Sequence, residues 1–144
     1  MKKATKIIAL TLFLSAIALA AACGGAGETA TGSGMKTIAE KKEGNVNVIL
    51  SNAEGKLKNG EQEIMLSFTD TSGKPLEIKA ASLNFNMPAM GTMAEMNNAA
   101  ALSTTGTPGQ FKGKVTIEMA GEWSAQISFE GAETGKTTIA MTAG

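Results

Sequence analysis

Met87, Met90, Met93 and Met96 recur at every third position of the segment Met87-Pro88-Ala89-Met90-Gly91-Thr92-Met93-Ala94-Glu95-Met96. Thioethers are soft, neutral ligands that select Cu(I) over hard cations, and they bind without first losing a proton. The chain contains no His, so Cu(II) has no good site here. Pro88 ends a strand pattern and the rest of the segment reads as loop, free to gather three sulfurs around one ion. Glu95 or the face of Trp123 would add electrostatic support. The same spacing has a competing reading. Met87 follows the parity of core residues, Met90 could plug the end of a domain, and Asn97-Asn98 reads as an ordinary turn. In that case the methionines pack or form an apolar docking patch.

Other chemistry is poorly provided for. Besides His, the chain lacks Arg and Tyr, so its Ser and Thr hydroxyls have no base to activate them. Glu61, Glu63, Glu118, Glu122 and Glu130 fall on outward faces or turns, where a solvated charge is the ordinary state. A non-catalytic protein is therefore expected.

Cys23, the only cysteine, sits where an apolar leader gives way to glycine and polar residues. Lys2, Lys3 and Lys6 form a positive start, residues 7–19 an apolar run, and Ala20, Ala21 and Ala22 the small residues before a cleavage point. The run is shorter than the ~20 residues of a membrane-spanning helix. This arrangement resembles a bacterial lipoprotein signal, in which the cysteine becomes the acylated first residue. The Leu usual three residues before such a cysteine is replaced by Ala20, which leaves cleavage by the ordinary signal peptidase near Ala22 as the alternative. Both routes export the protein. A diacylated cysteine would hold it at the membrane face of the cell envelope, each buried methylene contributing about 0.8 kcal/mol. Removing the leader leaves ten Lys against thirteen Asp and Glu. Without a basic face, nucleic acid is not an expected partner. With a single cysteine, no internal disulfide can form.

The residues beyond the leader divide in two. Residues 23–44, rich in Gly, Ala, Thr, Ser and Lys, read as a lipidated flexible linker after a signal peptide at 1–22, with 35–42 at most flickering into a helix or docking weakly. Residues 45–144 have the length of one domain, and their apolar positions alternate with period two. Ile64, Leu66 and Phe68 show it, as do Leu83, Phe85 and Met87, then Phe111, Val115 and Ile117, then Trp123, Ala125, Ile127 and Phe129. Weaker strands fit at 46–50, 76–78, around Leu102 and at 137–141, separated by Gly- and Pro-bearing turns. Each strand is expected to bury one face and show water the other. The architecture predicted is all-β, an immunoglobulin-like β-sandwich of about seven strands, with a small barrel as the alternative. A change of inward parity between Ile78 and Leu83 calls for a bulge near Ala80-Ala81 or a change of sheet. A three-residue turn at Ala120-Gly121-Glu122 would pair Met119 with Trp123, and alternation places Met119, Trp123 and Met141 in the core.

Four pieces together resemble the YtkA-like domain family. They are the strand ending at Asp70 before Ser72-Gly73-Lys74-Pro75, the corner Met87-Pro88-Ala89-Met90-Gly91 with Met93 after it, the entry Gly109-Gln110-Phe111, and Met119-Ala120-Gly121-Glu122-Trp123. The resemblance implies an exported immunoglobulin-like sandwich. It also implies kinship with domains found beside copper and heavy-metal efflux adaptors and oxidase-assembly proteins resembling FixH, hence a membrane complex as partner. Carried over, Met87, Met90 and Met93 become candidate metal contacts.

The leader yields a direct test. Cys23→Ser should move the exported protein from the membrane to the soluble fraction and abolish radioactive palmitate incorporation. An exported wild-type protein that is soluble and unlabelled would remove the lipid anchor.

Overall fold

A computed structural model describes residues 34–144, and the leader, Cys23 and the first part of the expected linker lie outside them. The described residues form nine strands: β1 (Lys36–Glu43), β2 (Val46–Asn52), β3 (Gly60–Asp70), β4 (Ile78–Met87), β5 (Met96–Ala99), β6 (Ala101–Thr104), β7 (Gln110–Ile117), β8 (Gly121–Gly131) and β9 (Gly135–Ala143). All pairings are antiparallel and make two sheets, ordered β1-β2-β3-β7-β6 and β5-β4-β8-β9. Two separate sheets make a sandwich, not a barrel.

The alternation explains the core. Val48, Leu50, Ile64, Leu66 and Phe68 of the five-stranded sheet meet Leu83, Phe85, Ala125, Ile127 and Phe129 of the four-stranded one. Phe68 packs edge-on against Phe111 at 6.1 Å and reaches Phe129 across the layers at 5.0 Å, within the range of favourable aromatic pairs. The expected bulge occurs as a register shift between Ile78 and Ala80, which brings Ile78 and Leu83 to the same buried face despite their opposite parity.

Four expectations need correction. The segment 36–43 is strand β1, paired with β2 from Lys36–Asn52 to Glu43–Val46, not linker. An edge strand draws its order from its neighbour's backbone, so it tolerates the charges of Lys36, Glu40, Lys41, Lys42 and Glu43, and only Ile38 and Ala39 touch the core. The Lys41 ammonium donates to the Thr138 carbonyl at 2.8 Å, which ties β1 to the edge of the other sheet. Second, Asn97 and Asn98 belong to strand β5, paired with Asn86 and Phe85. Third, β7 and β8 lie in different sheets, so the 118–120 connection crosses the sandwich and does not close a hairpin. Fourth, β2 and β3, in the interior of the five-stranded sheet, bury both faces. Ile49, Ser51, Met65, Ser67 and Thr69, opposite the core, are buried as well.

Turn chemistry fixes the ends of the strands. Asp70 accepts hydrogen bonds from the Ser72 hydroxyl at 2.6 Å, the Ser72 amide at 2.8 Å and the Lys74 amide at 3.0 Å. The Ser72 hydroxyl first, then the Lys74 amide, hold its carboxyl below the ordinary value of 3.8. Ala100, between β5 and β6, donates its N–H to Leu83 at 2.9 Å where the chain passes from one sheet to the other.

The early start of the domain can be measured. A chain beginning at Val46 should melt about 4 °C or more below one beginning at Met35, the shift that a loss of ~1 kcal/mol produces in a domain of this size. Equal midpoints would return residues 36–43 to the linker.

Candidate methionine site

The methionine segment is a second, irregular hairpin stacked on the β4–β5 pair. Met87 and Met96 are cross-strand partners at its base. Pro88, which has no N–H to give, ends the ladder, and the chain pairs again at the tip. There the Met90 N–H donates to the Met93 carbonyl at 3.1 Å and the Met93 N–H to the Met90 carbonyl at 2.9 Å. Gly91, at φ 58°, takes the left-handed conformation that so tight a turn requires.

Directly opposed residues of an antiparallel pair project to one face, with Cα atoms about 5.5 Å apart when they exchange both hydrogen bonds. The three-residue spacing therefore resolves into two pairs of thioethers, Met87 with Met96 and Met90 with Met93. Their environments differ. Met90 and Met93 are 50% and 38% exposed, whereas Met87 is 2% exposed and Met96 is half-buried against the core. Met87 also lies close against Gly121, since a Cβ there would lie 2.8 Å from its methyl carbon. The structure thus separates a buried Met87 from an accessible pair at the tip.

The stem is braced on its outer face by side-chain amides. Asn86 Nδ2 donates to a carboxylate oxygen of Glu95 and to Asn97 Oδ1 at 3.0 Å, and Asn84 Nδ2 donates to Asn97 Oδ1 at 3.2 Å and to Gln126 Oε1 at 3.4 Å. Glu95 is thereby held beside the base of the hairpin. Reading Asn97-Asn98 as a turn hid this brace, although the outward parity of Asn84 and Asn86 was its available signal.

Trp123 lies below the hairpin, 1% exposed, and its Nε1 donates to the Met119 carbonyl at 3.0 Å. Met119 and Met141, expected in the core with it, are only half-buried and pack at the core's edge. Met119 lies past the end of β7 on the connection to β8, and Met141 lies on β9, the edge strand of its sheet, so neither is covered on every side. Among the described residues no three His, Cys, Asp or Glu side chains gather to hold an ion. The methionines are the donor set that the geometry offers.

Fold and site define an antiparallel β-sandwich domain with a methionine-bearing end. The chain belongs to the YtkA-like family, whose model matches residues 40–128. Among solved structures it is similar to a DUF4426 family protein from Pseudomonas aeruginosa PAO1, at 14% identity with a TM-score of 0.50, over 76% of this chain and 92% of that one. At that identity the likeness concerns the fold alone. No curated protein matches the sequence.

Gly121 is the residue on which the base of the hairpin rests. Its φ of 141° already disfavours a side chain, and Gly121→Ala would also push into Met87. The expected outcome is a lower melting midpoint, by the equivalent of about 1–3 kcal/mol for overpacking. An unchanged midpoint would show that Met87 is free to move off Gly121.

Proposed function

We propose that this chain is an exported, lipid-anchored, non-catalytic protein that handles Cu(I), or a related soft monovalent ion, through its methionine hairpin. The observation that carries the reading is the mutually hydrogen-bonded Met90–Met93 pair. These two are the exposed large hydrophobic side chains among the described residues. Each carries a neutral sulfur that can bind a soft ion without shedding a proton or uncovering a buried charge. Met96, further down the hairpin, is the next thioether available to complete a three-sulfur site, and Glu95 at the stem offsets part of the ion's charge. Met87 packs. A membrane anchor at Cys23 would keep the ion at the membrane face, where an efflux or oxidase-assembly complex is the kind of partner that could receive it.

A metal-free reading also draws on the exposed tip, as an apolar patch docking on such a complex. One experiment separates them. The exported domain is loaded with Cu(I) under anaerobic, reducing conditions and challenged with a Cu(I)-specific chelator, with Ag(I) as a redox-inert mimic. The wild type should retain metal and Met90→Leu/Met93→Leu should lose it at least about tenfold more readily, equivalent to ~1.4 kcal/mol. The melting midpoint should stay close to that of the wild type, because Met-to-Leu swaps keep volume and apolarity. Equal metal loss from both proteins, or none bound above a denatured control, leaves the docking patch.

A further inference from the structure

The five-stranded sheet has an outer side on which no described strand stacks. Asn47, Ile49 and Ser51 of β2 and Met65, Ser67 and Thr69 of β3 point there, since the alternate positions Val46, Val48, Leu50, Leu66 and Phe68 enter the core between the sheets. The four-stranded sheet lies on the core side, so this outer side should be wet. It is closed to water. Ser51 is 0% exposed, and Ile49, Met65, Ser67 and Thr69 are buried with it, although neither Ile49 nor Met65 belongs to the core.

The hydroxyls say what kind of cover the face needs. Among the described residues four buried side-chain hydroxyls lack a hydrogen-bond partner, and three of them, Ser51, Ser67 and Thr69, share this face. Such groups are costly to leave unpaired, so their cover must bring polar atoms as well as apolar ones. An extended backbone does so. An apolar helix does not, because its own turns use its amides.

The chain supplies such a segment at the right place. It enters β1 at Lys36, whose partner Asn52 adjoins Ser51, and Gly34, at φ 92°, has the left-handed conformation with which a chain reverses. Residues 24–33 carry no side chain larger than Thr except Glu28. Extended, these ten residues reach about 33 Å, whereas β2, of seven residues, spans about 23 Å. Glu28 lies six residues before Gly34, and Lys42 lies six after Lys36, on the outward side of β1 beside Asn47. Lys42 has no ion-pair partner among the described residues. By the same count Glu40, also outward, matches Ala30.

We propose that residues 24–33 fold back over the outer face of the five-stranded sheet and seal it, their backbone pairing with the hydroxyls of Ser51, Ser67 and Thr69. This docking needs neither metal nor lipid. Its consequence rests on the anchor at Cys23. β1 starts at the end of the sandwich that carries the methionine hairpin, where Gly60 pairs with Ile117 and the chain crosses to Gly121 beside Met87. The docked segment carries Cys23 to the opposite end, where Val46 pairs with Asp70, so the hairpin points away from the membrane. A free tether would leave both orientations open.

The test is amide hydrogen exchange, read by mass spectrometry on the processed chain, in detergent micelles where it carries lipid. Amides of residues 25–33 should exchange at least about tenfold more slowly than those of an unstructured chain. Ser67→Arg sets a long charged side chain in the middle of the face and should return them to the free rate while β8 stays protected. Should that variant fail to fold, Thr29→Pro/Thr31→Pro removes two backbone donors outside the sandwich and should release the same segment. Free exchange in the wild type overturns the proposal, and sedimentation then shows whether a second copy covers the face. Protection confined to the unprocessed precursor also overturns it and assigns the face to the apolar leader. Protection that neither substitution disturbs places the segment elsewhere and overturns it as well.

Discussion

A buried indole must find an acceptor for its N–H, and Trp123 finds it in the carbonyl of Met119, a residue on the connection between the two sheets. This requirement fixes more than one bond. An unpaired N–H in a dry core costs about 1–3 kcal/mol, so the crossing from β7 to β8 is held where Met119 can reach the ring. That crossing lays β8 over the other sheet, and β8 in turn organises β4 and β9 on either side. The end of the sandwich that carries the methionines is therefore set by the packing of one aromatic side chain.

The hairpin above it combines a stiff stem with an open tip. Its stem is stiffened from both faces, by Met87 seated on Gly121 within and by the amides of Asn84, Asn86 and Asn97 without. The tip has only the two hydrogen bonds of the Met90–Met93 pair. Such an arrangement keeps two thioethers in reach of each other at little entropic cost, since the stem has already ordered the backbone that brings them together. It also leaves them accessible, which suits exchange of a ligand better than burial would.

The margins of the sandwich are managed by different means. On one side, the passage from β5 to β6 at Ala100 lets a single segment serve the edges of both sheets. On the other, β1 is bulged and charged, and Lys41 occupies a backbone carbonyl of β9. Charged and bulged edges resist pairing with other chains, which matters for a domain whose abundant alternating strands would otherwise be templates for association.

Much of this was legible in the residues themselves. Period-two alternation identified β2, β3, β4, β7, β8 and β9, because successive side chains of a strand point to opposite faces, and the parity change after Ile78 called for a bulge or a change of sheet, of which the bulge is found. The spacing of Met87, Met90, Met93 and Met96 marked the segment, read as a loop, that folds as the hairpin. What local pattern could not provide was everything that depends on a neighbour. β1 carries five charged residues and is ordered by the backbone of β2, and Asn97-Asn98, turn-like in isolation, is a strand because β4 lies beside it. Alternation says which face of a strand is apolar but not which strand it meets, so the sequence could not place β7 and β8 in opposite sheets. Nor could it bring the Met119 carbonyl to the Trp123 indole or set Met141 opposite Trp123. The sequence by itself determined the six alternating strands, the core-facing side of each and the methionine segment, since these follow from side chains a few positions apart. Only the tertiary structure decided which methionines are buried and which are accessible, because that depends on hydrogen bonds and contacts between segments far apart in the chain.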